Sequence, residues 1–304
     1  MSKAIAFSDY GTPEVLRLSE VTAPEPGPGQ VRIRVRAASV NPLDLKIRSG
    51  LMAGAIPAHF PVVPGLDAAG VVDAVGEGAD AAVGDEVLGA TAGGSYSEYA
   101  LLEQPVAKPA ALSWEVAASL VTVGRTAFRV LAQLGVRQGQ TLLVHGGGGS
   151  VGVIAAQLAV TRGVTVIATV GERDIERVTA LGATAVRYGD GWVQRVRTAA
   201  PQGVDFVLDA SGAGVLADSV ALTGDSARVI TIADPTAAQH GVRFSAGSTD
   251  GAAQTEDALP QLVELAADGR LTLPVWRTYP LDEAATAHAD LEAHRNRGKA
   301  VLLP

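Results

Sequence analysis

An apolar run at residues 141–145, TLLVH, leads directly into the glycine cluster GGGG and then into a helix-forming segment, SVGVIAAQLA. A second apolar run, VTVIATV, ends at residue 170, so both runs and the segment between them fit the ~30-residue βαβ unit of nucleotide-binding folds. Glycine is needed where such a chain turns sharply and approaches a pyrophosphate. The order of strand, glycines and helix predicts a dinucleotide-binding domain; the alternative is a glycine-rich turn without a ligand.

The residues expected to hold the pyrophosphate lie around this glycine cluster. A helix that begins here supplies backbone N–H groups without helical partners and the positive end of its dipole. The predicted contacts are Gly146, Gly149, Ser150, Val151 and Gly152.

The end of the second apolar run selects between NAD and NADP. An enzyme that uses NAD usually carries Asp or Glu there, where the carboxylate binds the ribose 2′-hydroxyl. Here the strand closes with Thr169 and Val170, and Arg173 follows in the segment GERD. A guanidinium can hold a 2′-phosphate in a charge-assisted pair, so the sequence predicts NADPH. In the alternative interpretation, Arg173 is a solvated helix-start residue paired with Glu172 or Asp174.

The pattern of short segments changes along the chain. The first third is rich in Pro and Gly and contains short strands such as VRIRVRAASV, in which Val31, Ile33 and Val35 alternate with arginines. From about Trp114, helices alternate with apolar runs that lack this alternation, as expected for strands buried on both faces: TLLVH, VTVIATV, DFVLDA and RVITIA. In the segment WEVAASLVTVGRTAFRVLAQLG we expect Gly124 to interrupt the helix.

These patterns predict two domains in a chain of 304 residues. The predicted fold class is α/β, with a mainly-β domain over residues 1–118 and 255–304 and an inserted, doubly wound parallel sheet over 119–254. The inserted domain contains the glycine cluster and is therefore the one expected to bind the dinucleotide.

The charge balance argues against a nucleic-acid partner. There are 32 acidic and 24 basic residues, a formal net charge of −8, and Lys and Arg form no phosphate-tracking stripe. The N-terminus lacks the basic start and apolar core of a signal peptide, and Gly or charge interrupts each long apolar stretch. We therefore expect a cytoplasmic protein that binds neither nucleic acid nor membranes.

Metal-ligating residues are scarce. The chain has no cysteine, so disulfides and thiolate zinc sites cannot form. The five histidines are scattered without ligand spacing such as HxxxH: His59, His145, His240, His288 and His294. We expect no metal, and no catalytic role for His288 and His294, because DEAATAHADLEAH has the pattern of an amphipathic surface helix. Asp67 is expected to bond backbone or a basic neighbour. Tyr96 and Tyr99 are expected to belong to the core; the alternative is that they line the cleft.

Short stretches follow one another in a specific order and spacing: YGTPEVLRLSEV, ASVNPLDLKIRSG, VPGLDAAGVVDAVGEGAD, VGDEVLG, GSYSEYA, AASLVTVGRTAFRVL, the glycine cluster, ALGATAVRY and RGKAVLL. With these stretches the chain resembles, nearly from end to end, the zinc-independent quinone oxidoreductase branch of the medium-chain dehydrogenase/reductase superfamily. The departures are local: Ser150 replaces a usual second adjacent glycine, and Val160 an often basic residue. A serine at a helix start can itself cap the helix or contact a phosphate.

The resemblance implies a GroES-like catalytic domain made from both ends of the chain, an inserted Rossmann domain, and NADPH between them. It implies that Tyr188 lies near the adenosine phosphate, Thr126 near the phosphate or ribose on the nicotinamide side, and Asn41 beside the nicotinamide. Tyr188 could equally be an amphipathic ring at a strand edge, and Thr126 a helix residue bonded to backbone. A homodimer is expected on the same ground.

The segment SVNPLDLKIRSG contains the candidate catalytic residues. Pro42 starts a short helix, which brings Asn41, Asp44 and Lys46 within one and a half turns of one another. Asn41 is suited to hold the nicotinamide or the substrate oxygen, and Lys46 to donate to a ribose hydroxyl or to an enolate. The NPxDxK pattern resembles the enone and ketol reductases of this branch. Alternatively, Asp44 caps the helix and Lys46 pairs with it or with solvent.

These observations predict an NADPH-dependent oxidoreductase that transfers hydride to a quinone or an α,β-unsaturated carbonyl without zinc. Without a Lewis acid the substrate must already accept hydride readily, so that hydrogen-bond donors suffice for the developing oxyanion. No residue is identifiable as an obligatory acid. The alternatives are an enoyl or enone reductase of a biosynthetic pathway, a non-catalytic NADPH-binding sensor protein, and a metal-dependent alcohol dehydrogenase.

Overall fold

The computed structural model describes residues 1–247 and 258–304. The chain forms two compact units: a terminal unit, Met1–Thr122 with Pro260–Pro304, and a central unit, Val123–Leu259. The structure thus divides the chain after residue 122, where the sequence predicted a boundary after 118. The other predicted boundary, after residue 254, lies outside the described residues.

The terminal unit is built on a mostly antiparallel sheet. In chain order its elements are β1 (Ser2–Ala6), β2 (Arg17–Val21), β3 (Val31–Val40), α1 (Pro42–Arg48), β4 (Asp67–Val75), β5 (Glu86–Ala92), β6 (Tyr99–Leu102), β7 (Val106–Ala107), β14 (Val275–Pro280), α8 (Ala284–Glu292) and β15 (Lys299–Leu303). The main sheet has the order β14-β15-β3-β4-β5-β6, and β7 pairs with β5. Because β3 also pairs with β6, strands β3 to β6 close into a small barrel. The strands β1 and β2 form a separate antiparallel pair.

The strand β3 shows why the barrel forms. Val31, Ile33 and Val35 are buried in its core, whereas the intervening Arg34 and Arg36 are exposed, so the predicted period of two is confirmed. The last part of β3 becomes buried on both faces and leads directly into α1. The chain therefore enters the candidate catalytic segment from a strand that is anchored on both sides.

The central unit contains the predicted doubly wound sheet. Its strands, among the described residues, are β8 (Thr141–His145), β9 (Thr165–Val170), β10 (Thr184–Arg187), β11 (Phe206–Asp209), β12 (Val229–Thr231) and β13 (Arg243–Phe244). These six strands are all parallel, in the order β10-β9-β8-β11-β12-β13. The chain therefore moves outward from β8 to β10 and returns to β11 on the other side of β8, which makes the β8/β11 junction a topological switch point.

The helices of the central unit are α3 (Ser150–Thr161), α4 (Ile175–Ala180), α5 (Trp192–Ala199) and α6 (Leu216–Thr223), while α2 (Trp114–Leu134) and α7 (Ala258–Ala267) each cross a boundary between units. The expectation that Gly124 interrupts α2 is wrong, because the helix runs without a break. Val123 and Ala127 are buried on either side of it, and such packing outweighs the cost of about 1 kcal/mol for one helical glycine. Among the described residues, no helix combines the length and apolarity that a bilayer crossing requires.

Candidate active site

The glycine cluster turns the chain between β8 and α3. Gly146 adopts a left-handed backbone conformation with φ of 73°. A Cβ added to Gly152 would overlap the carbonyl oxygen of Gly146, and one added to Gly147 would lie 2.6 Å from Cβ of Ala168 on β9. The loop therefore packs too closely for side chains, which is the condition for a backbone that approaches a ligand.

The first turn of α3 presents backbone donors. Gly149 precedes the helix and donates to Gly146 O at 2.9 Å, and Val153 is the first helical residue whose N–H bonds back to Gly149 O, at 2.8 Å. The N–H groups of Ser150, Val151 and Gly152 consequently have no helical acceptor. Together with the helix dipole they form a site suited to a phosphate.

The loop after β11 lies beside the glycine cluster at the switch point. A Cβ on Gly146 would lie 3.1 Å from the backbone of Ala210. Asp209, at the end of β11, holds this loop: its Oδ1 accepts from the N–H groups of Ser211 and Gly212 at 2.9 and 3.1 Å. Ligands of doubly wound sheets bind where two such loops diverge from the carboxyl ends of neighbouring strands.

The carboxyl end of β9 carries no acidic side chain. Thr169 Oγ1 lies 3.0 Å from Nδ1 of the buried His145, whose Nε2 lies 3.2 Å from Ser219 Oγ. Burial lowers the pKa of His145 to about 4, so the ring is neutral at pH 7. The hydroxyl groups of Thr169 and Ser219 thus lie within hydrogen-bond distance of the two ring nitrogens of His145.

Arg173, predicted after β9, and Tyr188, implied by the resemblance, are both exposed. The Arg173 side chain is 50% exposed, and its Nε lies 3.9 Å from Asp174 Oδ2. The shorter contact to Asp174 comes from Arg177, whose Nη2 lies 2.7 Å from Asp174 Oδ1. Tyr188 is 68% exposed, and a Cβ on Gly171 would lie 3.3 Å from its ring. Arg173 is thus half exposed three residues after the end of β9, and Tyr188 is exposed directly after β10.

Thr126, the third cofactor residue implied by the resemblance, lies on α2 and is half-buried. It belongs to the central unit, as do the glycine cluster, Arg173 and Tyr188. The structure therefore assigns every predicted cofactor residue to one unit.

Asn41 is the centre of a buried network in the terminal unit. Its Nδ2 donates to Asp67 Oδ2 at 3.0 Å and to Ser39 Oγ at 3.4 Å, and its Oδ1 accepts from Lys299 Nζ at 2.7 Å. Thr122 Oγ1 donates to Asp67 Oδ1 at 2.5 Å. Both the oxygen and the nitrogen of the Asn41 amide are thus hydrogen-bonded to protein groups. Asp67 bonds the polar side chains of Ser39, Asn41 and Thr122, whereas the sequence predicted bonds to backbone or to a basic neighbour.

Asp44 caps α1 and extends this network. Its Oδ2 accepts from Asn41 N at 2.7 Å and from Tyr96 OH at 3.2 Å. Tyr96 OH also lies 3.1 Å from His288 Nε2. Which of these two groups donates the hydrogen bond depends on the tautomer of His288. We refer to Ser39, Asn41, Asp44, Asp67, Tyr96, Thr122, His288 and Lys299 as the Asn41 network.

Burial dominates the electrostatics of the network. It raises the pKa of Asp44 to about 7, with the Asp67 carboxylate adding to the shift and Asn41 N–H opposing it. Burial also lowers the pKa of Lys299, whereas the carboxylates of Asp67 and Asp44 raise it. The pKa of His288 falls to about 3 through burial and the nearby Arg48 cation. His288 is therefore neutral at pH 7, and Asp44 titrates near neutrality.

Lys46 is separated from the other two candidate catalytic residues. It lies on α1, is half-buried, and none of the hydrogen bonds that build the Asn41 network among the described residues involves it. The structure brings Asn41 and Asp44 together, as the capping alternative implied, and leaves Lys46 outside.

Two members of the network were missed by sequence reasoning. The expectation that His288 lies on a surface helix is wrong, since the residue is fully buried against Tyr96, with ring centroids 5.7 Å apart. Lys299 begins the apolar strand β15 and is buried. A lysine in a run as apolar as KAVLL is the signal that could have revealed a buried cation with polar partners.

Arg48 is also buried and pairs with Glu292 across α1 and α8. Within residues 1–247 and 258–304, no three His, Cys, Asp or Glu side chains are grouped so that they could hold a metal ion. In the terminal unit, Arg48 thus belongs to an ion pair with Glu292, whereas Asp44, Asp67 and Lys299 belong to the Asn41 network.

Comparison with known proteins gives two family models and full-length relatives. The alcohol dehydrogenase GroES-like domain matches residues 27–111, and the zinc-binding dehydrogenase model matches residues 181–302. The quinone oxidoreductase of Pseudomonas aeruginosa is 32% identical over 329 residues, with 100% of both chains covered.

Solved structures agree over the same length. The quinone oxidoreductase of Coxiella burnetii is 32% identical, with a TM-score of 0.87 over 100% of this chain and 99% of that chain. A mycobacterial protein solved in complex with NADPH is also 32% identical, with a TM-score of 0.88 over 100% of both chains. The agreement covers both compact units and the order of their elements along the chain.

Proposed function

Because the chain belongs to the quinone oxidoreductase branch of the medium-chain dehydrogenase/reductase superfamily, we propose that it is an NADPH-dependent oxidoreductase that reduces a quinone. The resemblance found in the sequence and the predicted fold class, a GroES-like domain with an inserted Rossmann domain, are confirmed. The acceptor named here is the one in the names of its relatives.

The observation that carries the proposal is the glycine cluster at the start of α3. Gly146 and Gly152 approach too closely for a Cβ, and the N–H groups of Ser150, Val151 and Gly152 lack helical acceptors. These residues fit a dinucleotide pyrophosphate, and they lie at the switch point where doubly wound sheets bind one.

The preference for NADPH rests on the groups after β9. No carboxylate ends this strand, and Arg173 is half exposed with its nearest acidic contact at 3.9 Å. We infer that Arg173 binds the 2′-phosphate and that the exposed ring of Tyr188 covers the adenosine end. The mycobacterial protein solved in complex with NADPH supports the choice of cofactor.

On the substrate side we assign different roles to the three candidates. NADPH, when bound, supplies the hydride. Asn41 and Asp44 use their polar atoms inside the buried network, so we infer that they fix the backbone turn into α1. Lys46 stands outside the network and is the candidate that donates to a ribose hydroxyl or to the developing oxyanion.

We propose that the reaction needs no zinc. The chain has no cysteine, and its described residues contain no cluster of three metal ligands. A quinone or an α,β-unsaturated carbonyl can accept hydride when hydrogen-bond donors stabilise the oxyanion. Metal analysis of the purified protein and activity after EDTA treatment test this point: stoichiometric zinc would contradict it.

The decisive experiment is titration calorimetry with NADPH and NADH on the wild type and on Arg173→Ala. We expect NADPH to bind more tightly, and the substitution to erase most of the difference because it removes the phosphate contact. If neither nucleotide binds, the enzymatic proposal is wrong.

Steady-state oxidation of NADPH with a panel of quinones and enones then identifies the acceptor. Turnover of quinones supports the proposed function, and turnover of enones alone would favour the enone reductase. Binding without turnover of any acceptor would favour a sensor protein. Light scattering on the same preparation tests the homodimer that we propose from the resemblance.

A further inference from the structure

An exposed ion pair lies at the strand end that selects the cofactor. Arg187 is the last residue of β10 and pairs in register with Val170, the last residue of β9. Its Nε lies 2.9 Å from Glu172 Oε2, and the two side chains are 65% and 71% exposed. A pair this open to solvent is worth little to folding and is readily broken.

Two neighbouring arginines, Arg177 and Arg195, already donate hydrogen bonds to backbone carbonyl oxygens. Arg177 Nη2 donates to Gly148 O at 2.8 Å and to Asp174 Oδ1 at 2.7 Å, which joins the start of α4 to the glycine cluster. Arg195 donates to the carbonyl oxygens of residues 187–190. The hydrogen bonds of Arg177 and Arg195 therefore hold the glycine cluster and the segment 187–190 in place.

Arg173 and Arg187 are the two arginines that remain at least half exposed around this strand end. Arg173 directly follows Glu172 in the chain, so Glu172 is bonded to one of these cations and adjacent to the other. In the described structure, the Glu172 carboxylate is thus bonded to the Arg187 guanidinium, a group that is also suited to bind a 2′-phosphate.

We propose that Arg187 is a second phosphate-binding residue, which exchanges Glu172 for the 2′-phosphate of NADPH, and that Glu172 limits the preference for NADPH over NADH. This inference rests on the proposed function. A phosphate monoester carries about −1.5 to −2 charges and accepts bidentate bonds, so it competes well against one exposed carboxylate. With NADH the same carboxylate is available to the ribose 2′-hydroxyl.

The test is titration calorimetry on the full-length protein carrying Arg187→Gln, Glu172→Gln or both. The probes are NADPH, NADH and the fragment pair adenosine 2′,5′-bisphosphate and AMP, which differ only in the 2′-phosphate. We expect Arg187→Gln to weaken NADPH and the bisphosphate about five- to tenfold and to leave NADH and AMP unchanged. Glu172→Gln should tighten NADPH about two- to threefold, since it releases Arg187.

The double variant distinguishes two ways in which Glu172 could weaken NADPH binding: by pairing with Arg187, or by direct repulsion of the 2′-phosphate. If Glu172 acts by occupying Arg187, the gain from Glu172→Gln disappears once Arg187 is already Gln. If the gain persists in full, the exchange is overturned.

Arg228→Gln is the matched control. Arg228 belongs to the same unit, is 49% exposed and lies 3.9 Å from Asp225, but it precedes β12 at the opposite, amino-terminal edge of the sheet. Arg228→Gln changes the net charge by the same amount as Arg187→Gln, and we expect the ratio of the NADPH and NADH affinities to stay at its wild-type value.

The outcomes distinguish this inference from the proposed function. If Arg187→Gln leaves NADPH binding unchanged, or weakens NADPH and NADH equally, the role of Arg187 is overturned while an NADPH-preferring wild type keeps the proposed function intact. If the wild type binds neither nucleotide, the proposed function fails and the inference falls with it. Raising the salt concentration should weaken NADPH more in the wild type than in Arg187→Gln, because the lost contact is exposed.

Discussion

The Asn41 network and the exposed pair Arg187–Glu172 use the same kinds of polar group in opposite ways. In the network, Lys299 and the carboxylates of Asp44 and Asp67 are buried and are linked through Asn41 by hydrogen bonds of 2.7 to 3.0 Å. At the strand end, the ion pair at 2.9 Å is mostly exposed to solvent.

The two sites differ in the free energy that is lost when their contacts are broken. A buried charge that loses its partner keeps its desolvation penalty, whereas an exposed charge is taken up by water. The network is therefore suited to hold a backbone segment in one conformation. The exposed pair is suited to change partners when a ligand arrives.

The largest effect is expected from Lys299→Met. Removing the buried cation leaves Asn41 Oδ1 without its donor and two carboxylates without compensation, so the free energy of unfolding should fall by about 3–5 kcal/mol in urea denaturation. The matched control is Lys46→Met, a half-buried lysine outside the network, for which we expect a change within about 0.5 kcal/mol. Equal losses in both variants would show that the network does not stabilise the unit.

Tyr96→Phe should have the next largest effect. The substitution keeps the ring but removes the hydroxyl between Asp44 and His288, which costs about 1–3 kcal/mol of unfolding free energy because both partners stay buried. Tyr99→Phe removes an exposed hydroxyl that accepts from Arg34 at 3.3 Å, and its unfolding free energy should stay near that of the wild type. A loss no greater for Tyr96 than for Tyr99 would contradict the comparison.

Asp44→Asn should change stability in a way that depends on pH. The folded pKa of Asp44 is about 7, above its ordinary value of 3.8, so the folded state binds more protons than the unfolded state between these values. Stability contributed by Asp44 is therefore present at low pH and is lost as the pH rises from about 4 to about 7. We expect the unfolding free energy of the wild type to decline relative to Asp44→Asn across this window.

The comparison must be made as a difference between the two proteins. His288 has a folded pKa of about 3, below its ordinary 6.5, so its own contribution rises with pH over nearly the same window and opposes that of Asp44. His288 is present in both proteins and its contribution cancels. A difference that does not change between pH 4 and 8 would contradict a protonated Asp44.

The smallest effect on stability is expected at the exposed pair. Arg187→Gln should change the unfolding free energy of the protein without nucleotide by at most about 1 kcal/mol, since water replaces the lost partner. A loss above about 2 kcal/mol in the same urea experiment would identify Arg187 as a structural residue. The contrast between the buried network and the exposed pair would then disappear.

The Rossmann part of the fold was predicted from local signals. A strand, a glycine cluster and a helix are adjacent in the chain, and the structure contains them as β8, the loop from Gly146, and α3. The alternation in β3 is a local signal of the same kind. These predictions are confirmed because each element is determined by residues that are close together in the sequence.

The candidate catalytic segment shows where local reasoning ends. Spacing placed Asn41, Asp44 and Lys46 on one short helix, as the structure does. Which of them are engaged depended on Asp67, Tyr96 and Lys299, residues 26 to 258 positions away from Asn41 or Asp44. Periodicity also assigned His288 to a surface helix, although a distant tyrosine covers it.

By itself, the sequence determined the α/β class, the order of the two kinds of domain, the position of the glycine cluster and the absence of cysteine. Each of these follows from residues that are near one another in the chain or from composition alone. Only the tertiary structure decided that Lys299 donates to Asn41 inside the buried network and that Glu172 pairs with Arg187 and not with Arg173. The reason is physical: the partner of a charge is set by burial and by strand register, and both arise only when distant segments pack.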